Sequence, residues 1–306
     1  MSMPEISIVI CCYNGEKRLS KVLRHIYAET SLEEYVAKII IVDNHSTDHT
    51  KKVIEENMAK YSNPSIQYCY EEKAGLSNAR RKGVSECNTK WIAFLDDDNY
   101  VEPQWIKNVA RFINENRNVG VFNGAVIPFV DFKMTEDERQ RLQSSLKVLA
   151  CTHYSIQELQ NNPVTPFRNP IGAGMVILTE PLKKLLEKGW LNSAGRTKEN
   201  LTSGEDGEMA YWVKNCGYQF GFCPQAVLYH EMTKKRIEDA YLKSMWYEIG
   251  RGVSVVIKKQ RFSKIKNIGY QIFLKIRMRN YKKDKNKYKA IYYLAYIEGY
   301  KYEWNC

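Results

Sequence analysis

The sequence predicts an α/β fold: a mostly parallel sheet flanked by helices, followed by a basic helical extension. Short apolar runs alternate with amphipathic stretches through the first hundred residues, the pattern that right-handed crossovers between parallel strands require. The runs are continuous rather than alternating in polarity, which suits strands buried on both faces. The charge is also divided. Residues 234–306 hold 19 Lys and Arg against 6 Asp and Glu, whereas residues 1–233 carry a net −2 within a total of +11.

The elements follow in order. "ISIVICC" (6–12) reads as a strand, and "EKRLSKVLRHIYA" as an amphipathic helix with Leu19, Val22, Leu23 and Ile26 on one face. "KIIIV" (38–42) is the next strand; "STDHTKKVIEENMAKY" opens with candidate caps Ser46, Thr47 and Asp48 and continues as a helix. "SIQYCY", "LSNARRKGVSE" and "WIAFL" give strand, helix, strand. "EPQWIKNVARFINEN" then predicts a helix starting near Pro103 and "VGVFNGAVIPFV" a strand. Residues 133–170 predict one polar helix and a turn-rich loop, "NNPVTPFRNP", on the substrate side. "GAGMVIL" (172–178) resumes the sheet, "GEDGEMAYWVKNCGY" is a helix with an acidic start closed by Gly217, and "AVLYHE" is a last strand ending at His230. The expected organisation is residues 1–232 as one domain (1–100 and 101–232 as its two halves), with 233–306 as the basic extension.

At 306 residues with 44% apolar content, the chain can bury a large core. Only residues 6–12 are apolar near the N-terminus and Glu5 precedes them, so no secretory leader is expected. No apolar stretch approaches the roughly 20 residues that span a bilayer. Eight cysteines without a CxxC pair argue against zinc ribbons and disulfide frameworks and for reduced thiols in the cytoplasm. The basic last quarter calls for an anionic partner, a membrane surface or a nucleic acid.

The stretch "FLDDDNY" (94–100) asks why three carboxylates adjoin directly after a buried strand. A solvated loop would screen them. A divalent-cation site would use them, and open parallel sheets bind ligands beyond the carboxyl ends of their strands. In extended geometry Asp96 and Asp98 point the same way and Asp97 oppositely.

"ISIVICCYN", "IIIVDNHSTDHT", "GLSNARRKG", "IAFLDDDN" and "GEDGEMAYWVKNCGY" occur in an order and spacing that resemble the family-2 glycosyltransferases over roughly residues 5–232. The resemblance implies the GT-A fold, a single nucleotide-binding α/β domain. It also implies a nucleotide-sugar donor and a Mn2+ or Mg2+ ion bridging the donor diphosphate. Asp98 is then the metal ligand and Asp96 a ribose contact, with Asp97 on the same donor side. Asn99 stands where many relatives have another acid. Asp43 resembles an acceptor for the nucleobase imide, although capping of the following helix is an alternative. Cys11, Tyr13 and Asn14 follow or end the first strand and are expected at the base and ribose pocket. Asn78 and Arg80 are expected near ribose or phosphates, with Arg81 an alternative to Arg80. His230 completes the metal shell or simply packs.

Within "GEDGE", Asp206 resembles the general base that deprotonates the acceptor hydroxyl, and Glu205 binds the acceptor or shares the proton. Capping of the helix dipole is compatible with both. "GAGM" is expected to let the backbone approach a sugar or to make a tight turn.

The expectation is therefore a metal-dependent, inverting glycosyltransferase acting on a glycan or polyprenyl-linked acceptor in bacterial surface-polysaccharide assembly. It is expected in the cytoplasm, peripheral on the cytoplasmic face of the inner membrane. There the extension's basic stripes (Ile265, Ile268, Ile272 and Ile276 beside Lys264, Lys266, Lys275, Arg277 and Arg279) meet anionic lipid. A nucleotidyltransferase, or a nucleic-acid-binding module using the tail, are the competing readings. "CCYNGEKR" makes a poor phosphate loop, and the retained acids argue against binding as the sole role, so no nucleic-acid partner is expected.

Overall fold

In the computed structural model, which describes residues 5–165, 169–191, 204–258, 288 and 291–295, one eight-stranded mixed sheet organises the chain. Strand β1 (Ile6–Cys12) lies between β2 (Val36–Asp43) and β4 (Trp91–Asp96), and β3 (Ile66–Tyr70) flanks β2, all parallel. Helices α1 (Leu19–Tyr27), α2 (Leu32–Tyr35), α3 (Thr50–Lys60) and α4 (Leu76–Glu86) make the crossovers.

Alternation along each strand divides two cores. Ile6, Ile8, Ile10, Ile39, Ile41, Ala93 and Leu95 face one; Val9, Cys11, Ile40, Val42, Ile92 and Phe94 face the other. Both faces are covered, which is why these strands read as unbroken apolar runs.

The second half departs from the expectation in ways that build the site. β5 (Asn99–Val101) follows β4 after two residues, yet it pairs antiparallel with β8 (Gln219–Glu231) at the far end of the order β3-β2-β1-β4-β7-β6-β8-β5. The sheet must therefore curl back on itself between β4 and β8. β6 (Val119–Phe129) runs antiparallel to β7 (Met175–Leu178), and β7 antiparallel to β4, so β6 and its parallel neighbour β8 point the same way as β4. The carboxyl ends of β4 and β8 thus share one edge. β8 begins seven residues before "AVLYHE" and β7 three residues after Gly172, where the local sequence carries no strand signal of its own.

α5 (Trp105–Glu115) starts from Gln104 in the left-handed region at φ 81°, with the Glu29 carboxylate accepting from the Gln104 and Ile106 amides. Two helices rather than one fill residues 133–165: α6 (Glu136–Ser145), closed by a Thr135–Glu138 capping box, and α7 (Ile156–Asn161), capped by Ser155. α8 (Thr179–Glu187) and α9 (Glu205–Asn215) cover the second core, and Gly217 at φ 98° closes the turn after α9.

After β8, a 3₁₀ turn (Lys234–Ile237) leads into α10 (Asp239–Lys258). Ile237, Leu242, Met245 and Trp246 are buried in the same core as β1 and β4, so the start of the basic segment packs as structure. The basic stripes expected from Lys264 to Arg279 lie outside the described residues. Among the described residues no helix is long and apolar enough to cross a membrane.

Candidate active site

β4 ends at Asp96, and Asp97 and Asp98 form the turn into β5. Extended alternation therefore stops one residue earlier than the sequence suggests, but the two turn carboxylates still diverge. Asn99 holds the turn: its side-chain oxygen accepts the Asp96 amide at 3.1 Å and its NH2 donates to Asp98 Oδ1 at 3.2 Å. Both a donor and an acceptor are needed there, which an acid at this position would lack at neutral pH.

Asp97 faces inward. Its Oδ2 accepts from Arg18 Nη2 at 2.7 Å and from the Cys12 thiol at 3.4 Å. Burial and the neighbouring Asp98 push its carboxyl up to about 6, against the opposing pull of Arg18.

Asp98 faces the end of β8. Register pairs Asn99 with His230, and the Glu231 amide donates to the Asp98 carbonyl at 2.9 Å, which brings His230 Nε2 within 3.3 Å of Asp98 Oδ1. Arg236, from the 3₁₀ turn, inserts its guanidinium beside both: Nη2 lies 2.6 Å from Asp98 Oδ2 and Nη1 2.6 Å from His230 Nε2. Burial alone would raise the Asp98 carboxyl, but the Arg236 guanidinium outweighs it and holds the group well below the usual carboxylate range. Guanidinium only donates, so toward Arg236 the His230 Nε2 is the acceptor, and Nδ1 is buried without a hydrogen-bond partner among the described residues.

A divalent ion fits these residues. Two acceptors, one anionic and one imidazole, converge on a point now served by a cation, and 3.3 Å is a separation that two ligands of one metal ion can adopt. No cluster of three His, Cys, Asp or Glu side chains capable of chelation exists among the described residues, so an ion held by Asp98 and His230 would need further ligands.

The second acidic pair starts α9. Glu205 is buried, and its Oε1 accepts from Arg80 Nη1 at 3.0 Å. Asp206 is half-buried, with Oδ2 accepting from the Gly172 amide at 3.0 Å and Oδ1 from the Gly207 amide at 2.8 Å. Gly172 must be glycine for packing: a Cβ there would come within 2.3 Å of Arg80 Nη2. Arg80 is 3% exposed, stacks its charge 5.7 Å from the Phe94 ring centroid, and lies within the field of Asp96 and Asp206 as well as Glu205. Its guanidinium is thus directed at the acidic pair, while the neighbouring Arg81 is exposed.

The remaining residues line the same edge. Cys11 and Cys12 end β1 opposite Asp96 and Asp43. Cys11 is buried and its thiol is pushed up to about 12, chiefly by burial, so it is neutral. Asp43, at the end of β2, accepts from the Ser46 amide at 3.1 Å and from Tyr68 Oη at 3.2 Å. Asn14, at φ 50°, ties the β1 and β2 loops together through Ser46 and Thr47, and Tyr13 beside it is half-buried. Asn78, in the first turn of α4, donates to the Ala74 carbonyl at 3.2 Å. The structure thus brings Asp96, Asp98, His230, Glu205 and Asp206 to one edge, connected through Arg80 and Arg236. Sequence reading missed Arg18 and Arg236. The only available signal was that a run of buried acids needs counter-cations, and it does not say which arginines.

Comparison with known proteins bears on the family and the fold. The family described as Glycosyl transferase family 2 matches residues 7–184. Minor teichoic acid biosynthesis protein GgaB of Bacillus subtilis is 24% identical over 230 residues, 75% of this chain and 23% of its own. Poly(ribitol-phosphate) beta-N-acetylglucosaminyltransferase TarS of Staphylococcus aureus is 26% identical over 151 residues, 47% of this chain and 26% of its own. The chain therefore spans about a quarter of the length of these curated relatives. Among solved structures, S. aureus TarS 1-349 with UDP-GlcNAc superposes at TM-score 0.54 and 18% identity, covering 91% of this chain and 73% of that one. The mannosyltransferase PcManGT of Pyrobaculum calidifontis with GDP-Man and Mn2+ does so at 0.58 and 14%, covering 84% and 65%. At these identities the structures speak for the fold alone, which is the expected GT-A architecture. With more than half its length matched by the family, this chain belongs to Glycosyl transferase family 2.

Proposed function

We propose that the chain transfers a sugar, with inversion, from a UDP-sugar to a hydroxyl of a glycan or lipid-linked acceptor in cell-surface polysaccharide assembly. The observation that carries this reading is the division of labour at α9: Glu205 is held by Arg80, while Asp206 is half-buried and oriented by two backbone amides. An oriented carboxylate suits a general base. Asp206 takes the acceptor hydroxyl proton as that oxygen attacks the anomeric carbon and the bond to the diphosphate breaks. Asp98 and His230 would hold a Mn2+ or Mg2+ ion, whose charge stabilises the departing diphosphate. Asp43, at the end of β2, retains lone pairs that can accept a uracil imide proton. The TarS structure with UDP-GlcNAc and the teichoic-acid role of GgaB support the donor and the setting.

A panel of UDP- and GDP-sugars, screened for Mn2+-dependent donor hydrolysis, tests the reading. Calorimetry of UDP with Mn2+ should show affinity that collapses in Asp98→Ala. Metal-dependent UDP affinity unchanged in that variant would remove Asp98 from the site. A lipid-linked acceptor would give the basic residues 234–306 an anionic surface to dock on. Sedimentation with phosphatidylglycerol vesicles at low salt, and release at high salt, is the expected behaviour.

A further inference from the structure

The guanidinium of Arg236 stands where a divalent ion would be held. It contacts Asp98 Oδ2 and His230 Nε2 at 2.6 Å each, and those are the two atoms that would bind the metal. It reaches them from a separate segment, the 3₁₀ turn between β8 and α10, 138 positions from Asp98. Arginine and a divalent ion cannot share these acceptors: both are cations, and each would occupy the same lone pairs. The turn that carries Arg236 is joined directly to packed structure. Ile237 is buried, its carbonyl accepts from Arg141 Nε at 3.0 Å, and Leu242, Met245 and Trp246 anchor α10.

We propose that Arg236 is an internal counter-cation of the donor site, one that holds Asp98 and His230 while the divalent ion is absent and is displaced when ion and nucleotide bind together. The inference rests on the donor-site reading above and adds an order to it. Without nucleotide, the ion must dislodge a guanidinium already paired with both of its ligands, so metal binding is weak. The diphosphate brings new anionic oxygens within the arginine's reach, so displacement becomes favourable only when both ligands arrive. The 233–238 segment therefore moves with donor loading, and metal and nucleotide affinities are coupled through it.

The test uses the full chain and Mn2+ alone, followed by the free-ion electron paramagnetic resonance signal, with and without UDP. Arg236→Gln should bind Mn2+ without UDP roughly 10–100-fold more tightly than wild type, and UDP should improve Mn2+ binding less in the variant than in wild type. In wild type, hydrogen exchange of the 233–242 amides should quicken on loading with Mn2+ and UDP; this second measurement needs no variant. Unchanged Mn2+ affinity in Arg236→Gln, or unchanged exchange in loaded wild type, overturns the proposal while leaving the donor site intact. UDP binding that ignores Mn2+ but disappears in Arg236→Gln would make the arginine a permanent replacement for the ion, and also overturns it. If Mn2+ binding with UDP is absent, or identical in Asp98→Asn, the donor-site reading itself fails and the inference falls with it.

Discussion

The two acidic clusters of this chain solve one problem in different ways. At the β4–β5 turn three aspartates adjoin, and two are taken by arginines: Asp97 by Arg18, Asp98 by Arg236. At the start of α9 two acids adjoin and one is taken: Glu205, by the buried Arg80. Each cluster leaves one half-buried carboxylate without an arginine partner among the described residues, Asp96 in the first and Asp206 in the second. The arginines differ in kind. Arg80 sits in the middle of a helix packed on the second core and is 3% exposed, whereas the Arg236 side chain is 27% exposed and hangs from a short turn. The first is built to stay, and the second is placed to leave. A buried acid without any arginine shows the contrast from the other side. Among the described residues Glu29 has only backbone amides as partners, and burial pushes its carboxyl up to about 7 despite them.

The comparison breaks most clearly at Asp206. Asp206→Asn keeps an acceptor for the Gly172 amide but loses proton affinity, so kcat should fall on the order of 10²–10⁴-fold with UDP affinity unchanged. Steady-state kinetics beside calorimetry check it; a normal rate in Asp206→Asn with Glu205→Gln inactive would mean the roles are reversed.

Glu205 should announce itself as structure. Glu205→Gln leaves the Arg80 guanidinium buried without its anion, a change that costs about 3–5 kcal/mol in comparable sites. Urea denaturation should show that loss, and Arg80→Met added to Glu205→Gln should recover part of it, as expected of directly coupled partners. An undiminished midpoint in Glu205→Gln would mean that the pair is not what fixes the start of α9.

The smallest effect belongs to Glu29. Its folded-state value, about 7, lies above the ordinary 4.5, so the native state holds the proton more firmly than the unfolded chain. Its contribution to stability is then fully present below 4.5 and is lost as pH rises through about 7. Thermal melts should show the midpoint falling by a few degrees between about pH 5 and 8, and Glu29→Gln should flatten that slope. An equally steep slope in the variant would assign the pH dependence to another group.

The sequence by itself determined the four parallel strands and the three longer helices of the first half, though not the short α2, because apolar period and helix boundaries are local properties. Residues 6–12 and 76–86 were read at the limits the structure has. It also singled out the acids at Asp43, Asp96–Asp98 and Glu205–Asp206, since adjacent carboxylates beside a buried strand or at a helix start are conspicuous in one dimension. Tertiary structure decided what each acid faces. The three-residue strand β5 has too little sequence to carry a period, yet its pairing with β8 sets His230 against Asp98. Arg18, Arg80 and Arg236 lie 79, 125 and 138 positions from the acids they hold. Arg80, expected at the nucleotide, was drawn to Glu205, and Arg236 looked like one more charge of a basic tail. An ion pair between buried groups depends on which surfaces the curled sheet brings together, and no local pattern records that.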